Sequence, residues 1–149
     1  MAALAPEVQQ FLDEPHLGVF ITLMKDGSPQ ATPVWVDQDG SHVLINTVKG
    51  HQKERNLGRD SRVAVCVVDR NQSGRYVQIR GRVVETTDGD EALQHIEKLS
   101  QKYRGRPYQG REGEERLKVS IKPEHISYRG GGRGRADGQA GSQAGRWRA

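Results

Sequence analysis

The sequence predicts a mainly β protein, an antiparallel barrel of six or seven strands with two or three short helices. Short segments rich in β-branched residues recur between tight-turn sequences such as Asp26-Gly27 and Asp39-Gly40, which is typical of antiparallel strands. The segments do not alternate strand with helix, as the crossovers of a parallel sheet require. The 149 residues suffice for one domain of this kind.

The N-terminal part of the chain predicts one helix and three strands. Val8, Phe11 and Leu12 follow helical spacing, which indicates a short amphipathic helix over 6–13. Three strands are predicted, over 17–23, 30–37 and 42–47, and the turns between them favour a meander. Pro33 has no N–H to donate, which indicates either a sheet edge or a site where that N–H is not needed.

The rest of the chain predicts more strands and two further helices. In order, we expect a helix over 51–59, strands over 62–69 and 75–87, a helix over 88–103, and strands over 117–121 and 125–128. The strand over 62–69 is apolar throughout, which indicates burial of both faces and places Cys66 in the core. Gly81 indicates a bulge or a close backbone approach. The apolar stripe of the long helix is predicted to be Ala92, Leu93, Ile96 and Leu99.

Composition divides the chain into a barrel domain, 1–129, and a Gly/Arg-rich tail, 130–149, that we expect to be disordered. Most of the net charge of +4 lies in this tail, so the domain itself lacks the basic character of a nucleic-acid-binding protein. No apolar run is long enough to cross a membrane, and the N-terminus has no signal-peptide pattern. With Cys66 as the single cysteine, we expect a cytoplasmic protein.

Two polar clusters are candidates for binding an anion. Lys49, Lys53 and Arg55 surround the junction of a strand and a helix, where unpaired backbone N–H groups favour phosphate. The polar face of the 75–87 strand carries Arg75, Tyr76, Gln78 and Arg80. Both clusters are equally compatible with an ordinary solvated surface. The five histidines have no metal-ligand spacing, and no self-contained catalytic motif is visible, so we predict no metal site.

Several segments together carry a family resemblance. They are Leu17–Leu23, Asp26–Trp35, Val43–Thr47, Lys53–Asp60, Arg75–Arg82, Lys102–Gly105 and Leu117–Pro123. In this order they resemble the pyridoxamine 5′-phosphate oxidase-like split-barrel superfamily, and most closely its actinobacterial branch of coenzyme F420-dependent oxidoreductases. The resemblance covers about residues 5–129. It implies an FMN-binding split barrel that forms a homodimer, with two flavin-type cofactors at the subunit interface.

The resemblance also implies which residues contact the cofactor. Beside the tricyclic ring it places Thr32, Pro33, Val34 and Trp35. Around the phosphate it places Asn46, Thr47, Lys49, Lys53, Arg55 and Asn56. It also implies that Tyr76, Gln78 and Arg80 of the partner subunit contact the cofactor. Both charge clusters thus fall on positions that the resemblance assigns to the cofactor.

One departure from the family pattern bears on the cofactor. Pyridoxine phosphate oxidases begin the second strand with an arginine that grips the FMN phosphate, and here that segment reads Gln30-Ala31-Thr32. This disfavours vitamin B6 oxidation and favours coenzyme F420, whose long anionic chain would follow Lys49, Lys53 and Arg55.

The resemblance therefore implies hydride transfer from reduced deazaflavin to a small, electron-poor, unsaturated substrate. Solvent could supply the proton, and the sequence shows no convincing general acid. Three alternatives stay open: an FMN-binding oxidoreductase on the same fold, a non-catalytic carrier of flavin or deazaflavin, and RNA binding through the Arg/Gly tail. The last is disfavoured because Trp147 is the only aromatic residue in that tail.

Overall fold

A computed structural model describes residues 3–130 of the chain. Its elements in order are α1 (Pro6–Asp13), β1 (Gly18–Leu23), β2 (Pro29–Val34), β3 (Val36–Gln38), β4 (Val43–Val48), α2 (Gln52–Arg59), β5 (Arg62–Val68), β6 (Arg75–Thr87), α3 (Gly89–Arg104) and β7 (Arg116–Gly130). The seven strands form one antiparallel sheet in the order β2-β1-β5-β6-β7-β4-β3. The predicted mainly β class with three helices is confirmed.

The sheet curls because one stretch of chain supplies both of its edges. β2 pairs with β1, β3 pairs with β4, and only Trp35 lies between β2 and β3. The two edge strands must therefore lie next to each other, which produces a split barrel. The prediction of one strand over 30–37 in a meander is wrong, since the chain leaves one partner at Val34 and joins another at Val36.

The core fills the inside of this curled sheet, and α1 covers it. Phe11 of α1 and Phe20 of β1 are fully buried there, together with inward side chains of every long strand. The prediction that β5 buries both faces is wrong. Val63, Val65 and Val67 point into the core, but Cys66 is only half-buried, because no element within residues 3–130 covers the outer face of β5.

Helix α3 packs against the outside of β4 and β7. Ala92, Ile96 and Leu99 are buried there as predicted, whereas Leu93 is exposed, contrary to the prediction. The helix instead buries two polar residues, His95 and Ser100.

β7 is one long strand rather than the two predicted. Pro123 does not interrupt it, because it lies opposite Gly81, where the β6–β7 register shifts. A Cβ atom on Gly81 would lie 2.1 Å from the carbonyl oxygen of Lys122, so the predicted close backbone approach is confirmed.

Within residues 3–130, no helix is long and apolar enough to cross a membrane. The predicted tail lies outside the described residues, apart from Gly130 at the end of β7.

Candidate functional site

A cleft of about 470 Å³ opens where the β2–β3 junction, β4, α2 and the C-terminal half of α3 meet. Its apolar lining consists of Leu17, Pro33, Val34, Trp35, Val48, Ile96 and Leu99. Its polar lining consists of Asn46, Thr47, His51, Lys53, Arg104, Tyr108 and Arg116. The lining contains three cationic side chains and no carboxylate, so the cleft combines an apolar wall with a positive potential.

Lys53 and Thr47 present polar groups that the protein leaves largely unsatisfied. The Nζ of Lys53 donates to the Oγ1 of Thr32 at 3.1 Å, and no carboxylate among residues 3–130 pairs with it. Burial lowers the pKa of Lys53, and the positive charge of Arg116 lowers it further. The hydroxyl of Thr47 is buried and has no hydrogen-bond partner among the described residues. An anion placed here would satisfy both groups.

Arg116 is held firmly at the start of β7. Its Nε donates to the Oδ1 of Asn46 at 2.7 Å, and its Nη1 donates to Glu114 at 2.8 Å and to the hydroxyl of Tyr108 at 3.0 Å. Burial would raise the pKa of Glu114, but hydrogen bonds from Tyr108 and Arg116 outweigh it and lower the pKa to about 2. The Arg116–Glu114 pair is therefore ionised near neutral pH.

Trp35 forms the centre of a stack at the cleft wall. Its ring lies parallel to that of Tyr103 with a centroid distance of 5.4 Å, and the Cζ of Arg104 lies 4.9 Å from the Trp35 centroid. The hydroxyl of Tyr103 donates to the carbonyl of His16 at 2.7 Å and accepts from the N–H of Val36 at 3.0 Å. The indole thus rests on a ring that is anchored to two other segments.

The cleft continues into a second depression of about 420 Å³. The two share Val48, His51, Tyr108 and Arg116, and the second adds Arg111, Glu112, Gly113 and Glu114. Together they form one groove, apolar near Trp35 and strongly charged toward Arg111.

The structure brings together part of the predicted cofactor site. Pro33, Val34, Trp35, Asn46, Thr47 and Lys53 line the cleft, and Thr32 contacts Lys53. Sequence reasoning missed Leu17, Val48, His51, Ile96, Leu99, Arg104, Tyr108 and Arg116. Of these, Arg104 and Leu17 lie in segments that carry the family resemblance, whereas Tyr108 sits in a polar loop that offered no signal.

Three predicted phosphate contacts lie outside the cleft lining. Lys49 pairs with Asp88 at 2.8 Å. Arg55 donates to the carbonyl of Gly50 and to the side chain of Gln52. Asn56 is fully buried, and its amide donates to the Oγ1 of Thr22 at 2.9 Å, which ties α2 to β1.

The predicted partner-subunit contacts lie on the outer face of the sheet. Tyr76, Gln78 and Arg80 share the outward face of β6, opposite the core residues Val77 and Ile79. Arg75, from the same sequence cluster, instead forms ion pairs of 2.7 Å with Asp69 and 3.0 Å with Glu14.

The carboxylates of Glu14 and Asp69 lie close to His16, in an arrangement that could otherwise hold a metal ion. The guanidinium of Arg75 already supplies their positive partner.

Comparisons with known proteins agree with this architecture. The family model for pyridoxamine 5′-phosphate oxidase matches residues 4–130. A solved structure named F420 reductase is 26% identical, with a TM-score of 0.71, covering 80% of this chain and 94% of that one. A conserved hypothetical protein from Mycobacterium tuberculosis is also 26% identical, with a TM-score of 0.68 and 85% of each chain covered.

A putative pyridoxamine 5′-phosphate oxidase from Listeria innocua is 20% identical, with a TM-score of 0.63, covering 82% of this chain and 94% of that one. At this identity the likeness concerns the fold. No curated protein sequence matches the chain significantly.

Proposed function

Because the chain belongs to the pyridoxamine 5′-phosphate oxidase family, we propose that its cleft binds coenzyme F420 and that the protein is an F420-dependent oxidoreductase. The substrate we propose is a small, electron-poor, unsaturated molecule. The observation that carries the proposal is the cleft itself, which places an apolar wall beside cations and an unpartnered buried hydroxyl, that of Thr47.

The residues present fit a flavin-type cofactor. Pro33, Val34 and Trp35 offer an apolar surface for a planar ring. Lys53 and the hydroxyl of Thr47 offer a charged and a neutral donor for a phosphate. An anionic ligand would neutralise the charge of Lys53, with which no carboxylate of the described residues pairs.

The groove supports coenzyme F420 over FMN as the cofactor. It continues past Arg116 to Arg111, which is further than a single phosphate requires, so it has room for a ligand with an extended chain, although Glu112 and Glu114 share its lining with the two arginines. The similarity to a structure named F420 reductase points the same way. The arginine with which pyridoxine phosphate oxidases grip the FMN phosphate has no counterpart in this chain, where the corresponding segment by resemblance reads Gln30-Ala31-Thr32.

When bound, the reduced deazaflavin supplies the hydride. The chain's own residues orient the cofactor and shape its surroundings. Ile96, Leu99 and Trp35 exclude water from the ring side of the cleft, while Lys53 and Arg116 neutralise the anionic side. Burial and the hydrogen bond to Glu114 raise the pKa of Tyr108, so its hydroxyl keeps its proton near neutral pH. Solvent at the open mouth protonates the product.

We also propose that the protein acts as a homodimer through the outer face of the sheet. Val19 and Val68 lie on this face and are 38% and 37% exposed, and an apolar surface of this kind supports a covering partner. In such a dimer, the family resemblance places Tyr76, Gln78 and Arg80 of one subunit beside the cofactor of the other.

Spectroscopic titration of the purified protein with coenzyme F420 and with FMN tests the proposal. We expect tighter binding of F420, followed by oxidation of reduced F420 in the presence of an enone or a quinone. Tighter binding of FMN would favour the FMN-dependent alternative. Tight F420 binding without turnover over a broad substrate panel would favour a carrier.

A further inference from the structure

Three buried polar side chains, linked by hydrogen bonds, lie behind the cleft. Asp37 of β3, His95 of α3 and Asn46 of β4 are only 3%, 6% and 8% exposed. Buried polar groups of this kind are costly unless each finds a partner, so their hydrogen bonds define their orientation. The three residues lead from the back of α3 to Arg116 at the cleft.

The amide of Asn46 has one possible orientation. Its Oδ1 accepts from the Nε of Arg116 at 2.7 Å, and its Nδ2 donates to the carbonyl of Ala92 at 3.0 Å. Rotating the amide by 180° would set donor against donor at Arg116 and acceptor against acceptor at Ala92. The Nδ2 therefore also donates to the Nδ1 of His95, which lies 3.1 Å away.

This contact determines the tautomer of His95. Because Nδ1 accepts, the ring proton resides on Nε2, which donates to the Oδ2 of Asp37 at 3.2 Å. Asp37 also accepts from the Nζ of Lys98 at 3.1 Å. Burial would raise the pKa of Asp37, but hydrogen bonds from His95, the Gln38 backbone and Lys98 outweigh it and hold the pKa well below its usual range.

We propose that Asp37, His95 and Asn46 are positioning residues that hold the Arg116 guanidinium in the cleft for an anionic ligand. Asn46 then affects ligand binding indirectly, by holding Arg116, because its own polar atoms already form hydrogen bonds within the protein. Asn46, Glu114 and Tyr108 engage the Nε and Nη1 of Arg116, and no described residue bonds to its Nη2. Fixing this long side chain in advance lowers the entropic cost of binding. The inference rests on the proposed cofactor site.

A double-mutant cycle with coenzyme F420 as the probe tests the proposal. We expect His95→Leu to weaken F420 binding roughly three- to thirtyfold, as coupled contacts typically do. His95→Asn should restore part of the affinity, since its amide oxygen can accept from Asn46. In an Arg116→Ala background, His95→Leu should have no further effect. Gln94→Ala serves as the control and should bind like wild type, because Gln94 is exposed on α3 and has no hydrogen bond to Asp37, His95 or Asn46 among the described residues.

A ligand-independent measurement separates this inference from the proposed function. In ¹⁵N NMR spectra of the free protein, the Arg116 Nε–H should exchange slowly with solvent in wild type and His95→Asn, and rapidly in His95→Leu. An unchanged Arg116 signal in His95→Leu would overturn the inference, as would full additivity with Arg116→Ala. If wild type binds no F420, the proposed function fails. The NMR result still decides whether Asp37, His95 and Asn46 position Arg116.

Discussion

The Lys53→Met variant tests two roles of Lys53 separately, its part in binding the cofactor and its effect on the stability of the free protein. The substitution keeps most of the aliphatic stem and removes the ammonium, whose hydrogen bond within residues 3–130 is to the Thr32 hydroxyl, at 3.1 Å. If that ammonium binds a cofactor phosphate, its loss removes a charge-assisted hydrogen bond of about 1.5–3 kcal/mol. The F420 dissociation constant should then rise roughly tenfold to a hundredfold.

The stability of the free protein should change in the opposite direction. Burial and Arg116 lower the pKa of Lys53 in the folded state below its unfolded value. Below the folded pKa, the charged side chain therefore destabilises the fold, and this penalty disappears as the pH rises through that pKa. Lys53→Met removes the penalty at neutral pH, so the thermal midpoint without ligand should stay the same or rise.

Fluorescence titration with F420 and thermal unfolding of the same samples measure both effects. Lys25→Met is the matched control, because Lys25 is exposed in the β1–β2 turn and loses the same charge. Added salt should weaken wild-type binding more than Lys53→Met binding, since part of the attraction is ionic. Equal affinities in wild type and Lys53→Met, or weaker binding with a clearly lower thermal midpoint, would refute the reasoning.

Three further predictions follow from other parts of the fold. Gly81→Ala should lower the free energy of unfolding by about 1–3 kcal/mol in urea denaturation, because its Cβ would meet the Lys122 carbonyl at 2.1 Å. The ionised Glu114 stabilises the fold above pH 4.5, and this contribution is lost as the pH falls toward about 2. In Glu114→Gln the free energy of unfolding should therefore fall less between pH 4.5 and pH 2 than in wild type. Val19→Asp should convert a dimer to a monomer in light scattering and weaken F420 binding, whereas Leu93→Asp on α3 should leave the dimer intact.

Elements whose signal is local were predicted well. Helix α1 follows from three apolar residues at helical spacing, and the turn at Gly27 follows from a residue that tolerates its φ of 87°. The close backbone approach at Gly81 was also predicted, because a glycine inside a strand often marks a position where another backbone segment lies close. Each of these depends on a few consecutive residues.

Features that depend on distant pairing were missed. The stretch 30–37 looks like one strand, and only closure of the barrel divides it between β1 and β4. Leu93 was predicted to be a core residue and is exposed, and no local pattern predicted that His95 is buried between Asn46 and Asp37.

The sequence by itself determined the fold class, the family and several residues that line the cleft, because strand periodicity, turn chemistry and motif order depend on consecutive residues. Tertiary structure alone decided which charges meet in the cleft. Lys53 and Arg55 lie two positions apart on a helix and so point to different sides, and Lys53 is the one that lines the cleft. Arg116 joins Asn46 across 70 residues of sequence, because β4 pairs with β7, and no local pattern encodes such a contact.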